Sequence, residues 1–424
     1  MYKKFFFRPI EHGLTTEYTS LNQPFTLASW GAKNFRLDEK SARKRWGYGT
    51  ADRAIGNDIY GAILYQTIAG SRFTLYLTDT DLIKKETATG KTWSYQTETY
   101  TTGTITTIAS TAVTGSGTTW VSGMANDYFV LDEDHASDVE PDSSWRKIAS
   151  VTDTTHLTLS SAYEKDIATA SKTYKIRQVY TMPTDERWTW AIVNDKFVFT
   201  NGNTNVQSWT GGTYATDLET GAGNATKARY CIEYANRLFL LDYGATRDPQ
   251  KLGWSKENDP TNWTDTSAGA TQLFETAGYG TGLGKSGSSL IVFQEDLMNF
   301  FDRTGISTSP VSRTVQRTGT GCIAPYSILD VRGTCAFLSR DDFYIIDGDY
   351  PKSIGEKIRE KFFDIVGKTE IKKTFGGHIP ELNEVLWITN TTEGKLCFAW
   401  NYKYDEWEIY EFNADVTAVG KGAL

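Results

Sequence analysis

Short apolar runs punctuate the chain, and most are followed by a polar turn and a second run that closes on an aromatic residue or a glycine. They are residues 73–77 (FTLYL), 197–200 (FVFT), 238–241 (LFLL), 290–293 (LIVF), 336–338 (AFL) and 385–388 (VLWI). Continuous apolar runs this short, bounded by turn residues, predict strands. From residue 197 onward the runs start 41, 52, 46 and 49 residues apart. A period of roughly 40–50 residues with several strands per unit is the mark of a β-propeller.

The first interval, from 73 to 197, is 124 residues. Between about Gln96 and Val179 the composition turns Thr/Ser-rich and carries its own alternating strands, such as 147–151 (KIASV) and 156–159 (HLTL). This segment is long enough for a small β domain. Taking out its roughly 84 residues leaves 40, which restores the period. The chain therefore reads as all-β: a propeller of about six blades with an inserted small β domain. Residues 1–95 hold an N-terminal segment and the first blade, 96–179 the insert, and 180–424 the remaining blades.

One stretch has a different period. In residues 354–373 (IGEKIREKFFDIVGKTEIKK), Ile354, Ile358 and Phe362 fall four apart, and charged residues cover the other positions. This predicts one amphipathic helix of about three turns ending near Gly367. It serves either as a cap on the propeller or, with Ile354, Ile358 and Phe362, as an interface.

Composition supports the strand reading and narrows the function. Thr accounts for 58 of 424 residues and aromatics for 13%, the residues that suit a pleated, half-buried surface. Forty-four Lys and Arg against 52 Asp and Glu give a net charge of −8. That balance argues against holding nucleic acid by phosphate neutralisation, but not against a wall that DNA passes. No apolar stretch is long enough for a membrane-spanning helix. The N-terminal apolar run, Phe5 to Phe7, is too short for an export signal. Cys231, Cys322, Cys335 and Cys397 form no metal or redox spacing and read as small core hydrophobes.

Candidate chemistry is sparse. His12, His135, His156 and His378 are scattered, and no nucleotide, zinc or nucleophile-elbow motif is present. The acidic run Asp132, Glu133, Asp134, Asp138, Glu140 and Asp142 lacks the order of a calcium loop and reads as solvated. The glycines of 277–284 (AGYGTGLG) precede no helix and read as a loop between blades. No catalytic residue, cofactor or metal set is expected. Arg43, Lys44 and Arg45 form the densest basic cluster and are candidate contacts to a partner or to phosphate.

Several phrases occur in a fixed order: NRLFL (236–240), WS (254–255) before DPTNW (259–263), LIVFQE (290–295), GTGCIAPYSI (319–328), FLSRDDFY (337–344) and WNYKYDEW (400–407). This succession, with RKRWGYG (43–49) before it, resembles the tail nozzle proteins of short-tailed bacteriophages, also called tail tubular protein B. The insert, with GSGTTW (115–120), is similar to a β module of phage structural proteins. The resemblance implies a non-enzymatic virion subunit, assembled in the host cytoplasm into a homohexameric ring of the tail. Its partners would be a tail adaptor above, tail fibre or tip proteins, and double-stranded DNA passing through the closable channel without sequence-specific binding. The alternatives are a carbohydrate- or receptor-binding propeller, another tail adaptor or hub protein, and a sugar-cleaving propeller enzyme.

Overall fold

The computed structural model describes residues 58–86, 93–135, 144–212, 214–218, 227–274, 278–412 and 415–420, together with the paired strands Phe35–Asp38 and Ser41–Lys44. Six four-stranded antiparallel sheets follow one another, each with its strands in chain order. They are the blades of a six-bladed propeller. Their first strands are Ile59–Gln66, Thr189–Val193, Lys227–Tyr234, Gly280–Ser286, Leu329–Val331 and Phe375–Ile379 for blades 1 to 6. The apolar runs that set the period are the second strands, such as Lys196–Thr200 and Arg237–Gly244.

The turn chemistry explains why blades 2, 3 and 5 start as tight hairpins. Asn194-Asp195, Ala235-Asn236 and Arg332-Gly333 join first to second strands, and both residues of each pair have positive φ. Such turns match the right-handed twist of the strands they connect. Adjacent blades then pack face to face. Tyr65 of blade 1 meets Phe197 and Trp209 of blade 2, and Phe293 of blade 4 meets Phe337 of blade 5 at 4.9 Å. All four cysteines are buried in these layers as free thiols. Burial pushes the thiols of Cys231, Cys322 and Cys335 up to about 12, which keeps them neutral and unreactive.

The glycines of 280–284 belong to a strand, the innermost of blade 4, and not to a loop between blades. A Cβ at Gly282 would lie 2.3 Å from Ile328, and one at Gly284 would lie 2.4 Å from the Cys335 sulfur. Blade 5 approaches this strand too closely for side chains, so the apolar signal of a strand is missing.

The helical stretch is shorter than its periodicity implies. Two short helices, Arg359–Ile365 and Lys368–Ile371, are separated by extended backbone at Val366 and Gly367. Ile358 and Phe362 are fully buried between blades 5 and 6, where Phe362 stacks edge-on against Phe343 and Phe398 at 4.8 and 4.9 Å. Ile354 packs against the same cluster. The apolar stripe is thus core material, which accounts for it without a partner.

Between blades 1 and 2 a seven-stranded sheet runs from Thr99 to Arg177, around a core of Trp120, Phe129 and Tyr174. Its first and last strands pair, Tyr100 with Ile176 and Thr99 with Arg177, so the chain leaves and re-enters the propeller at one place.

Phe362→Ala is expected to cost about 3–5 kcal/mol of stability. Urea unfolding beside light scattering checks this: the midpoint should fall while the oligomeric state of the folded protein stays the same.

Candidate axial site

The first strand of every blade faces the propeller axis. On these strands alternate side chains are divided between the inter-blade core and the axis: Ile63 and Tyr65 are buried, while Leu64 and Gln66 are exposed. A cavity of about 650 Å³ lies on the axis, and all six blades contribute to its lining. Its walls include Leu64, Trp190, Leu283 and Leu329.

Polar residues gather where the inner strands begin. Glu186, just before blade 2, accepts hydrogen bonds from Arg229 Nε of blade 3 at 3.0 Å and from the Tyr326 hydroxyl ahead of blade 5. The neighbouring Arg187 turns the other way. Its guanidinium lies 3.5 Å above the Phe375 ring of blade 6 and 5.5 Å from that of Tyr60 in blade 1, and it donates to the Thr417 carbonyl. Burial pushes Arg187 down to about 10, so it remains charged at neutral pH. Tyr230 lines the same cavity at 2% exposure, and burial raises its hydroxyl well above the usual phenol value.

The C-terminal segment covers the seam between the last and first blades. Val416 and Val419 pack on blade 6, with Val419 against Gly377, while Gly420 meets Ala62 of blade 1. Lys395 pairs with Asp415 and so fixes the start of this strap on blade 6.

A second polar cluster lies where the insert joins the propeller. Arg177 forms a buried ion pair with Asp81 of blade 1, and its guanidinium lies 3.8 Å from the Tyr95 ring. Asp127 accepts the Val179 amide at 3.0 Å, and burial pushes its carboxyl up to about 7. With Arg177 committed to Asp81, this junction is built as an anchor.

Of the residues singled out from sequence, Cys231, Gly282 and His378 line the axial cavity and His135 lies near Arg177 at the junction, while the candidate interface residues lie at neither place. Arg43 and Lys44 lie on the strand Ser41–Lys44, paired with Phe35–Asp38, and Arg45 lies outside the described residues. Ile354, Ile358 and Phe362 belong to the core between blades 5 and 6. Of the acidic run, Glu133 pairs with Lys165 and Lys172, and Asp134 with Lys165. Asp138, Glu140 and Asp142 lie outside the described residues. Among the described residues no group of three His, Cys, Asp or Glu converges as a metal site. The polar axial residues Glu186, Arg187 and Arg229 were not anticipated. The sole local signal was the charged pair Glu186-Arg187 directly before an apolar strand.

No family model matches the chain, and no curated protein matches it. Solved structures show distant likeness. A phage phi92 endosialidase shares 13% identity over 76% of this chain and 58% of that one, with a TM-score of 0.26. Virginiamycin B lyase from Staphylococcus aureus, a catalytically inactive H270A form with quinupristin, shares 10% over 82% and 96%, with a TM-score of 0.31. YCF48 bound to D1 peptide shares 8% over 74% and 84%, with a TM-score of 0.31. This chain thus spans a little over half the length of the first of these. At such values the likeness carries no functional argument, and the fold rests on the strand topology itself.

Asp127 gives the junction a pH signature. An unfolded carboxyl titrates near 3.9, so between roughly pH 4 and 7 the folded chain keeps a proton that the unfolded chain has lost. Stability therefore falls as pH rises through this window and levels off above it, by at most about 1.4 kcal/mol per pH unit. Asp127→Asn should remove that slope, so the variant gains on the wild type between pH 5 and pH 8. Unfolding midpoints measured across this range check it; parallel curves would contradict the assignment.

Proposed function

We propose that this chain is a structural subunit of a phage tail ring of the nozzle type, through whose centre duplex DNA leaves the virion. The observation that carries the reading is a pair of unlike surfaces on opposite blades. In blade 4 the outer strands Leu297–Ile306 and Ser309–Thr318 are ten residues each. The strand Ser289–Gln294 pairs only as far as Phe301, so residues 303–309 project as a ribbon paired with itself, and Ile306 near its tip is 58% exposed. A two-stranded ribbon in water is marginal on its own. Residues 297–318 hold three Arg and one Asp, a net +2. Blade 1, three positions around the ring, carries the insert; residues 96–179 hold six Lys and Arg against eleven Asp and Glu, a net −5.

Basic outer strands on one flank, with the Ile306 ribbon at their end, and an acidic module on the other suit a head-to-tail contact between copies, and such contacts form a ring where the rotation between copies closes. The axial cavity of one propeller is filled at its mouth and far too small for duplex DNA. The conduit in this reading is therefore the axis of the assembly. Copies of charge −8 give that assembly an acidic balance, which keeps DNA from adhering to its wall. A strongly basic lumen would contradict this part.

The rival reading is a free carbohydrate-binding propeller, favoured by the exposed Trp190 on the axial wall. It predicts a monomer with glycan affinity, and a glycan array tests it. The ring reading predicts an oligomer by light scattering. Ile306→Asp should shift that oligomer toward monomer with an unchanged unfolding midpoint, because Ile306 supports no core. A wild-type monomer at every concentration, or an Ile306→Asp variant that assembles normally, would overturn it.

A further inference from the structure

Two groups in the axial cavity are left unused by the assembly reading. The Tyr230 hydroxyl is buried, lines the cavity and has no hydrogen-bond partner. Leaving a buried hydroxyl unmatched costs about 1–3 kcal/mol. Arg187 is the other. Among the described residues no carboxylate pairs with it, and a backbone carbonyl, that of Thr417, is its acceptor. The carboxylates around it are engaged elsewhere: Glu186 is held by Arg229 and Tyr326, and Asp415, whose charge reaches Arg187, pairs with Lys395.

A guanidinium flanked by aromatic rings and satisfied by a neutral carbonyl has capacity for an anion, and a planar carboxylate matches its donor geometry. The cavity volume of about 650 Å³ lies in the range of small-molecule sites. The carbonyl in place belongs to the strap of residues 415–420, which forms no sheet pairing. Its displacement breaks no strand ladder.

We propose that the axial cavity is a binding site for a small apolar carboxylate. The carboxylate takes the position of the Thr417 carbonyl on Arg187. The apolar body lies among Leu64, Trp190 and Leu283, and the Tyr230 hydroxyl supplies a second donor. The C-terminal strap competes for the same ground, so ligand and strap exclude one another. This site is independent of ring formation.

The test is calorimetric titration with 2-naphthoate, with uncharged 2-naphthamide as control, on the full chain, on the Ile306→Asp variant and on a chain ending at Phe412. One naphthoate should bind per chain, and the amide should bind at least about tenfold more weakly, as expected for loss of a charge-assisted contact. Arg187→Gln should abolish the preference for the acid. Tyr230→Phe should weaken naphthoate by about three- to tenfold without lowering the unfolding midpoint, since the hydroxyl supports nothing in the free protein. The shortened chain should bind more tightly than the full one. Equal affinity for acid and amide, no effect of Tyr230→Phe, or no binding to either the full or the shortened chain would overturn the proposal.

Discussion

Every blade of this protein is a sheet that has to be covered on both faces, and that requirement shapes the rest of the chain. The second strands are buried outright, as in Arg237–Gly244, where seven consecutive residues are shielded from solvent. A sheet of this kind cannot end the structure, because its outer face would be bare. The solution is a circle, in which each face is covered by the next blade. Five of the six seams hold mixed apolar clusters from two neighbouring blades. At the sixth, between the last blade and the first, residues 415–420 lie across the join, with Val419 on Gly377 and Gly420 on Ala62. Closure and the mouth of the axial cavity therefore depend on the same short segment.

The blade period was readable because the second strands have no polar face to dilute their signal. The insert was readable because removing it restored the interval between blades. The inner strands were not. Gly280–Ser286 reads as a loop in sequence, since the close approach of Ile328 and Cys335 demands glycine where strands usually show β-branched residues. The helix was overread for a related reason. Its four-residue stripe begins at Ile354, but the helix runs only from Arg359 to Ile365, and the stripe reflects a buried wedge between blades 5 and 6.

The polar contacts of the axial site lay beyond sequence reasoning. Glu186 and Arg229 are 43 residues apart, and Glu186 and Tyr326 are 140 apart. Only the circular arrangement of blades brings their strand starts to one axis. Nothing in the spacing of single residues encodes that meeting. The basic outer strands of blade 4 and the acidic insert illustrate the opposite case: each is visible as composition, but their places on opposite blades follow only from the fold.

Imaging the purified protein by electron microscopy tests most directly whether the unlike flanks of the propeller meet in a ring. A closed ring is expected, in which the blade 4 ribbon of each copy rests on the insert of the next, around an opening wide enough for duplex DNA. Particles that remain single propellers, or that pair through identical surfaces and leave the ribbon in solvent, would contradict it.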